Sequence, residues 1–98
     1  MDLFEGVLEF EWDRGNRDKN FLKHRVTNEE CEEVFSDPHK RLVKYILHPQ
    51  GEVRRLLVGR TVSDRFLFVV FVMRRHKVRV ISARDLNKRE RHLYEERP

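Results

Sequence analysis

The chain has 98 residues, which is enough for one domain that buries about two-thirds of its unfolded surface and too few for two cores. Hydrophobic and charged residues each make up 39%, a globular composition with a heavily charged exterior that excludes an intrinsically disordered chain. The formal net charge of +4 hides an asymmetry: residues 1–37 carry eleven acids and five bases, whereas residues 38–98 carry sixteen bases and six acids. Such a basic pole suits an anionic partner such as RNA or DNA, and the acidic half argues against a protein that coats nucleic acid on all sides.

In chain order, the acidic start MDLFEGVLEFEWD lacks a signal-peptide layout and no apolar run approaches a membrane span, so a soluble, cytoplasmic protein is expected. Val7 to Trp12 alternates apolar and acidic residues and predicts a short strand. Asp13 then suits the N-cap of a polar helix of about 10 residues that ends near His24, although Gly15 weakens it. Thr27-Asn28-Glu29-Glu30 is a capping box, with Val26 and Cys31 placed for a hydrophobic staple. Val34 and Phe35 continue the apolar stripe of this second helix, and Asp37-Pro38 ends it.

Beyond Pro38 the period becomes strand-like. Leu42–Leu47 and Val53–Arg60 read as strands, with turn chemistry at His48-Pro49-Gln50-Gly51 between them and at Ser63-Asp64 after them. Phe66–Met73 is apolar at every position, which predicts a central strand covered on both faces. Arg74–Lys77 is read as a solvated turn and Val78–Ile81 as the last strand. Ser82 or Asp85 would cap a C-terminal helix carrying Leu86, Leu93 and Tyr94. The expected fold is a single α+β domain over residues 1–98. It has a small, twisted antiparallel sheet, made of an N-terminal strand and a four-strand meander, with two helices before the meander and one after it.

The chemistry narrows by exclusion. No two of His24, His39, His48, His76 and His92 stand at the spacing of a helical ligand pair, so no metal site and no cofactor is expected. Glycine-rich phosphate loops and nucleophile elbows are missing, and the lone Cys31 falls at a core position of a helix. The remaining feature is a set of arginines (Arg54, Arg55, Arg65, Arg79, Arg84, Arg89 and Arg91) that a meander would bring side by side. Guanidinium forks match phosphate oxygens, so a convergent set can hold an RNA backbone and stabilise a pentacovalent phosphorane. Any one of these arginines alone reads as a solvated edge residue. His24 reads either as a general acid or base or as a helix C-terminal partner of carbonyls. Trp12 reads as core or rim packing, or as a stacking surface for a base. A helix-turn-helix built from the first two helices fits poorly, because that acidic half would repel DNA.

The ordered pieces Phe10-Glu11-Trp12-Asp13, Asn20, Lys23-His24, Val34-Phe35-Ser36-Asp37-Pro38, Arg54 or Arg55 before Gly59, Arg79-Val80-Ile81-Ser82-Ala83-Arg84-Asp85, Arg89-Glu90-Arg91 and Tyr94 resemble the BrnT-type ribonuclease toxins of bacterial type II toxin–antitoxin systems. Two positions depart from that pattern: Arg25 stands where glycine is usual, and Leu86 where alanine or methionine is usual. The resemblance implies a RelE-like fold and a cytoplasmic, metal-independent endoribonuclease that inhibits translation. It also implies a BrnA-type antitoxin with a ribbon-helix-helix domain, a heterotetramer around an antitoxin dimer, and operator contact only through that antitoxin. On this reading Arg79 and Arg84 stabilise the phosphorane, helped by Arg65, while Arg54, Arg55, Lys23 and Arg89 hold RNA. Glu52, His24 and Tyr94 are the candidates for the base, and Glu90 and Arg91 pair along the helix. A non-catalytic RNA- or ribosome-binding module is the alternative.

Overall fold

The computed structural model of the protein describes residues 8–47 and 51–95. The elements in chain order are β1 (Glu9–Phe10), α1 (Lys19–His24), α2 (Asn28–Phe35), β2 (Arg41–Leu47), β3 (Val53–Arg60), β4 (Phe66–Arg74) and β5 (Lys77–Asp85), then a 3-10 turn (Lys88–Glu90) and α3 (Arg91–Glu95). The five strands form one sheet in the order β1-β5-β4-β3-β2. β2 to β5 are an antiparallel meander, but β1 pairs parallel to β5, so the sheet is mixed rather than antiparallel.

The helix side of the sheet holds the core. The Thr27 hydroxyl accepts the Glu30 N–H at 3.0 Å while the Glu30 carboxylate accepts the Thr27 N–H at 2.9 Å, so α2 starts where its capping box expects. Val26 and Cys31 are both fully buried, as a staple requires. Val34 of α2 lies so close to β3 that a Cβ on Gly59 would meet Val34 Cγ1 at 2.5 Å. Phe35 stands edge-on to Phe10 and to Phe71, with ring centroids 5.3 and 5.0 Å apart. Leu57, Leu67, Val69, Val78, Val80 and Ala83 complete this cluster from the sheet. Burial pushes the Cys31 thiol up to about 12. Native protein at pH 8 should therefore resist iodoacetamide until it is unfolded. Rapid labelling seen by mass spectrometry under native conditions would mean that the α2 core opens.

Several sequence expectations are corrected. The first strand is only Glu9–Phe10 among the described residues; Val7 and the turn residues 48–50 lie outside them. Asp13 does not cap a helix. It closes a turn instead: its carboxylate accepts the Gly15 N–H at 2.8 Å and its carbonyl accepts from Asn16 and Arg17, so α1 begins only at Lys19. Arg74 ends β4 and the turn is Arg75-His76. β4 is central, yet Phe66, Phe68 and Val70 are half-buried, so its second face is covered only in part.

The largest correction concerns the last strand. β5 runs on to Asp85, and neither Ser82 nor Asp85 caps a helix; Asn87 does, accepting the Glu90 N–H at 2.9 Å. Ser82 and Ala83 stay in the ladder, opposite Val70 and Val69. Val70 pairs with Ser82 and Phe71 with Val80, which leaves Ile81 as the extra residue of a bulge. Two buried asparagines serve the backbone around it. Asn20 Oδ1 accepts the Ala83 N–H at 2.9 Å, and Asn16 donates to the Val80 carbonyl at 3.2 Å.

Candidate functional site

Arg79 and Arg84 are five residues apart, an odd spacing that would put them on opposite faces of a regular strand. The bulge at Ile81 reverses that parity. Arg79 pairs with Val72 and Arg84 with Phe68, two positions on the same face of β4. This is the more open face, opposite α1 and α2 but covered at its Phe66 end by Tyr94 and Arg91 of α3, and the two rows lie roughly 13 Å apart along the strand. Arg54, just before the Arg55–Phe71 pair, falls on the same open face on the far side of Val72. Its Nε is buried without a hydrogen-bond partner among the described residues.

Each β5 arginine is gripped by carboxylates. Arg79 makes a two-pronged bond to Asp13, at 2.8 and 3.1 Å, and a third contact to Glu11 at 3.1 Å. The same bonds hold the Asp13 carboxyl below its ordinary range, the Arg79 hydrogen bond being the largest cause. Gly15 keeps the space clear, since a Cβ there would lie 2.9 Å from Arg79 Nη2. Arg84 forks onto Glu90 at 2.7 and 2.8 Å and stacks 4.7 Å from the Phe68 ring centroid. The Arg84 hydrogen bond, above all, pulls the Glu90 carboxyl down to about 2. Glu90 thus pairs with Arg84 rather than with Arg91, which meets Glu95 at 4.0 Å and covers the Phe66 ring.

A chain of alternating charge continues from this point. Arg74 bonds Glu52 at 3.0 Å and lies 3.7 Å from Glu11, which joins Arg79 and Asp13. Arg74 is therefore part of the network and not a solvated turn residue. Glu11, Asp13 and Glu90 escaped the sequence reading as arginine partners. Their signal was present in the acidic alternation Glu9, Glu11, Asp13 and in the Arg84–Glu90 pair flanking Asn87.

Other candidate residues stand elsewhere. Arg65 uses its guanidinium on Asp85 (2.6 and 3.0 Å), on Glu30 (3.1 Å) and on the carbonyls of His24 and Arg25 (3.1 and 2.6 Å), at the junction of α1 and α2. His24 and Lys23 close α1, which packs on β5. The Tyr94 hydroxyl is buried and donates to Asp37 at 2.8 Å. Burial alone would raise the Asp37 carboxyl, but donors from His39, Tyr94 and Arg60 hold it below its ordinary value. Arg55 faces the helix side next to Tyr45, and Arg89 is exposed in the 3-10 turn. Trp12 is half-buried at the core rim, with its indole N–H on Glu32 at 2.7 Å.

Among the described residues, no group of three or more His, Cys, Asp or Glu side chains is arranged to hold a metal ion. No described helix is long and apolar enough to cross a membrane. Residues 12–90 match the family model described as the ribonuclease toxin, BrnT, of type II toxin–antitoxin systems. No curated protein matches the chain.

Proposed function

The chain belongs to the BrnT family of ribonuclease toxins of type II toxin–antitoxin systems, and from that premise we propose that the open sheet face bearing Arg54, Arg79 and Arg84 is where RNA is held and cut. The observation that carries this reading is the bulge at Ile81, which turns two arginines of odd spacing onto one face together with a third. The carboxylates gripping Arg79 and Arg84 already present oxygens in the two-pronged geometry that guanidinium uses for phosphate.

The proposed reaction is internal transesterification without a metal. A base takes the 2′-hydroxyl proton, O2′ attacks the adjacent phosphorus, and the bond from phosphorus to O5′ breaks. The products are a 2′,3′-cyclic phosphate and a neutral 5′-hydroxyl, the leaving O5′ taking up one proton to balance the one removed from O2′. Arg79 and Arg84 neutralise the charge gathering on the phosphorane, and Arg54 adds a third guanidinium on the same face to hold the substrate backbone. Glu52 is assigned as the base in preference to His24 and Tyr94, because it shares the charge network of Glu11 and Arg79. Arg65 is assigned to the fold and not to the reaction. In a cell the outcome is arrest of translation, relieved by a BrnA-type antitoxin that binds operator DNA.

Purified toxin on end-labelled RNA should cleave equally well in EDTA and leave cyclic phosphate ends. Cleavage abolished by EDTA and restored by Mg²⁺ would overturn the mechanism. Tight RNA binding with no strand scission would leave only a binding module.

A further inference from the structure

β2 is the outer strand on the side of the sheet away from β1. Soluble proteins usually protect such an edge by shortening it or by placing charge or proline on it. This one is seven residues long, and its Leu42, Tyr45, Ile46 and Leu47 are 43, 68, 48 and 65% exposed. Among the described residues, no strand pairs with its outer side. The surroundings are cationic, since residues 40–60 contain six lysines and arginines and a single acid, Glu52. Tyr45 lies directly opposite Arg55, and with Leu42, Val43 and Lys44 these two line a shallow groove.

We propose that β2 is a docking edge for an extended segment of the antitoxin, one that alternates apolar and acidic side chains and adds to the sheet as a further strand. This rests on the reading of the chain as a toxin with a protein antitoxin. Main-chain bonds to the open edge supply affinity, while Leu42 and Tyr45 on one face and Lys44 on the other select the partner's apolar and acidic side chains. A second copy of the chain fits less well. Lys44 is the midpoint of β2, so two-fold pairing of the strand with itself would set Lys44 opposite Lys44. β3 and β4 separate this edge from Arg79 and Arg84, and Leu42 and Tyr45 lie on the face of β2 away from Arg54, so antitoxin affinity and RNA cleavage are separable there.

The test uses the full-length toxin and the antitoxin encoded beside it. The single variants Leu42→Asp and Tyr45→Asp, on the face of β2 away from Arg54, should cleave RNA as wild type does. Each should bind the antitoxin at least about tenfold more weakly by calorimetry, as expected when a contact worth about 1.4 kcal/mol is lost, and co-expressed antitoxin should no longer restore growth. Hydrogen exchange on the wild-type complex should show slowed amides within residues 44–47, an outcome that does not depend on the variants folding. Unchanged affinity in folded variants, or no protection at residues 44–47 in the complex, overturns the proposal. Conversion of a dimeric wild-type toxin to a monomer at unchanged antitoxin affinity overturns it in favour of a second copy. If wild-type toxin does not cut RNA, the ribonuclease reading fails, and exchange in the complex still decides the docking edge.

Discussion

Arg79→Ala is expected to lower RNA cleavage by about 100- to 1000-fold, the usual effect of removing one donor that stabilises a developing oxyanion. The protein should stay folded. Among the described residues Arg79 makes no backbone bond through its side chain, and its partners Glu11 and Asp13 are partly exposed and rehydrate when it is removed. Arg79→Lys should recover little activity, because an ammonium keeps the charge but not the fork that Asp13 orients. Arg84→Ala should behave in the same way. Arg74 is no neutral control, since it bonds Glu52 and approaches Glu11; Arg75→Ala, in the exposed turn, is the better one. The measurements are single-turnover cleavage of labelled RNA and circular dichroism for each variant. Wild-type rates from folded Arg79→Ala would show that the open face is not the catalytic surface.

Arg65→Ala should do the reverse and act on stability first. Its guanidinium bonds the carbonyls of His24 and Arg25 at the end of α1, where Arg25 takes a left-handed φ of 59°. It also ties Glu30, and so the α2 capping box, to Asp85 of β5. Removing it leaves one part-buried and one exposed carbonyl and two carboxylates without this donor, which together costs about 2–3 kcal/mol. In a domain of this size that lowers Tm by on the order of 10–20 °C. Cleavage measured well below the new Tm should stay within about threefold of wild type, since a loss of 2–3 kcal/mol still leaves most molecules folded. A variant with wild-type Tm and lost cleavage would instead return Arg65 to the catalytic group. Glycine adopts the left-handed φ of Arg25 without strain. Arg25→Gly should accordingly be neutral or slightly stabilising.

What the sequence determined by itself was whatever short-range chemistry controls. The Thr27–Glu30 box starts α2 because its bonds span three residues. The turn residues flanking Val53–Arg60 bound a strand with those same ends. The family motifs, spread from Phe10 to Tyr94, identified a ribonuclease toxin that the match over residues 12–90 bears out. Long-range pairing was not legible. The acidic and basic halves looked like two poles, yet in the fold Glu11, Asp13 and Glu30 of the first half neutralise Arg74, Arg79 and Arg65 of the second. The stretch Ser82-Ala83-Arg84-Asp85 read as a helix start because its local preferences suit a cap, but pairing with Leu67 to Val70 keeps it extended. Above all, nothing in the spacing of Arg79 and Arg84 says that they share a face. That depends on one extra residue at Ile81, on either side of which Asn16 and Asn20, more than sixty residues earlier, bond the Val80 carbonyl and the Ala83 N–H. Only a folded chain can bring those amides to that bulge, because the energy that stabilises it comes from contacts the local sequence does not contain.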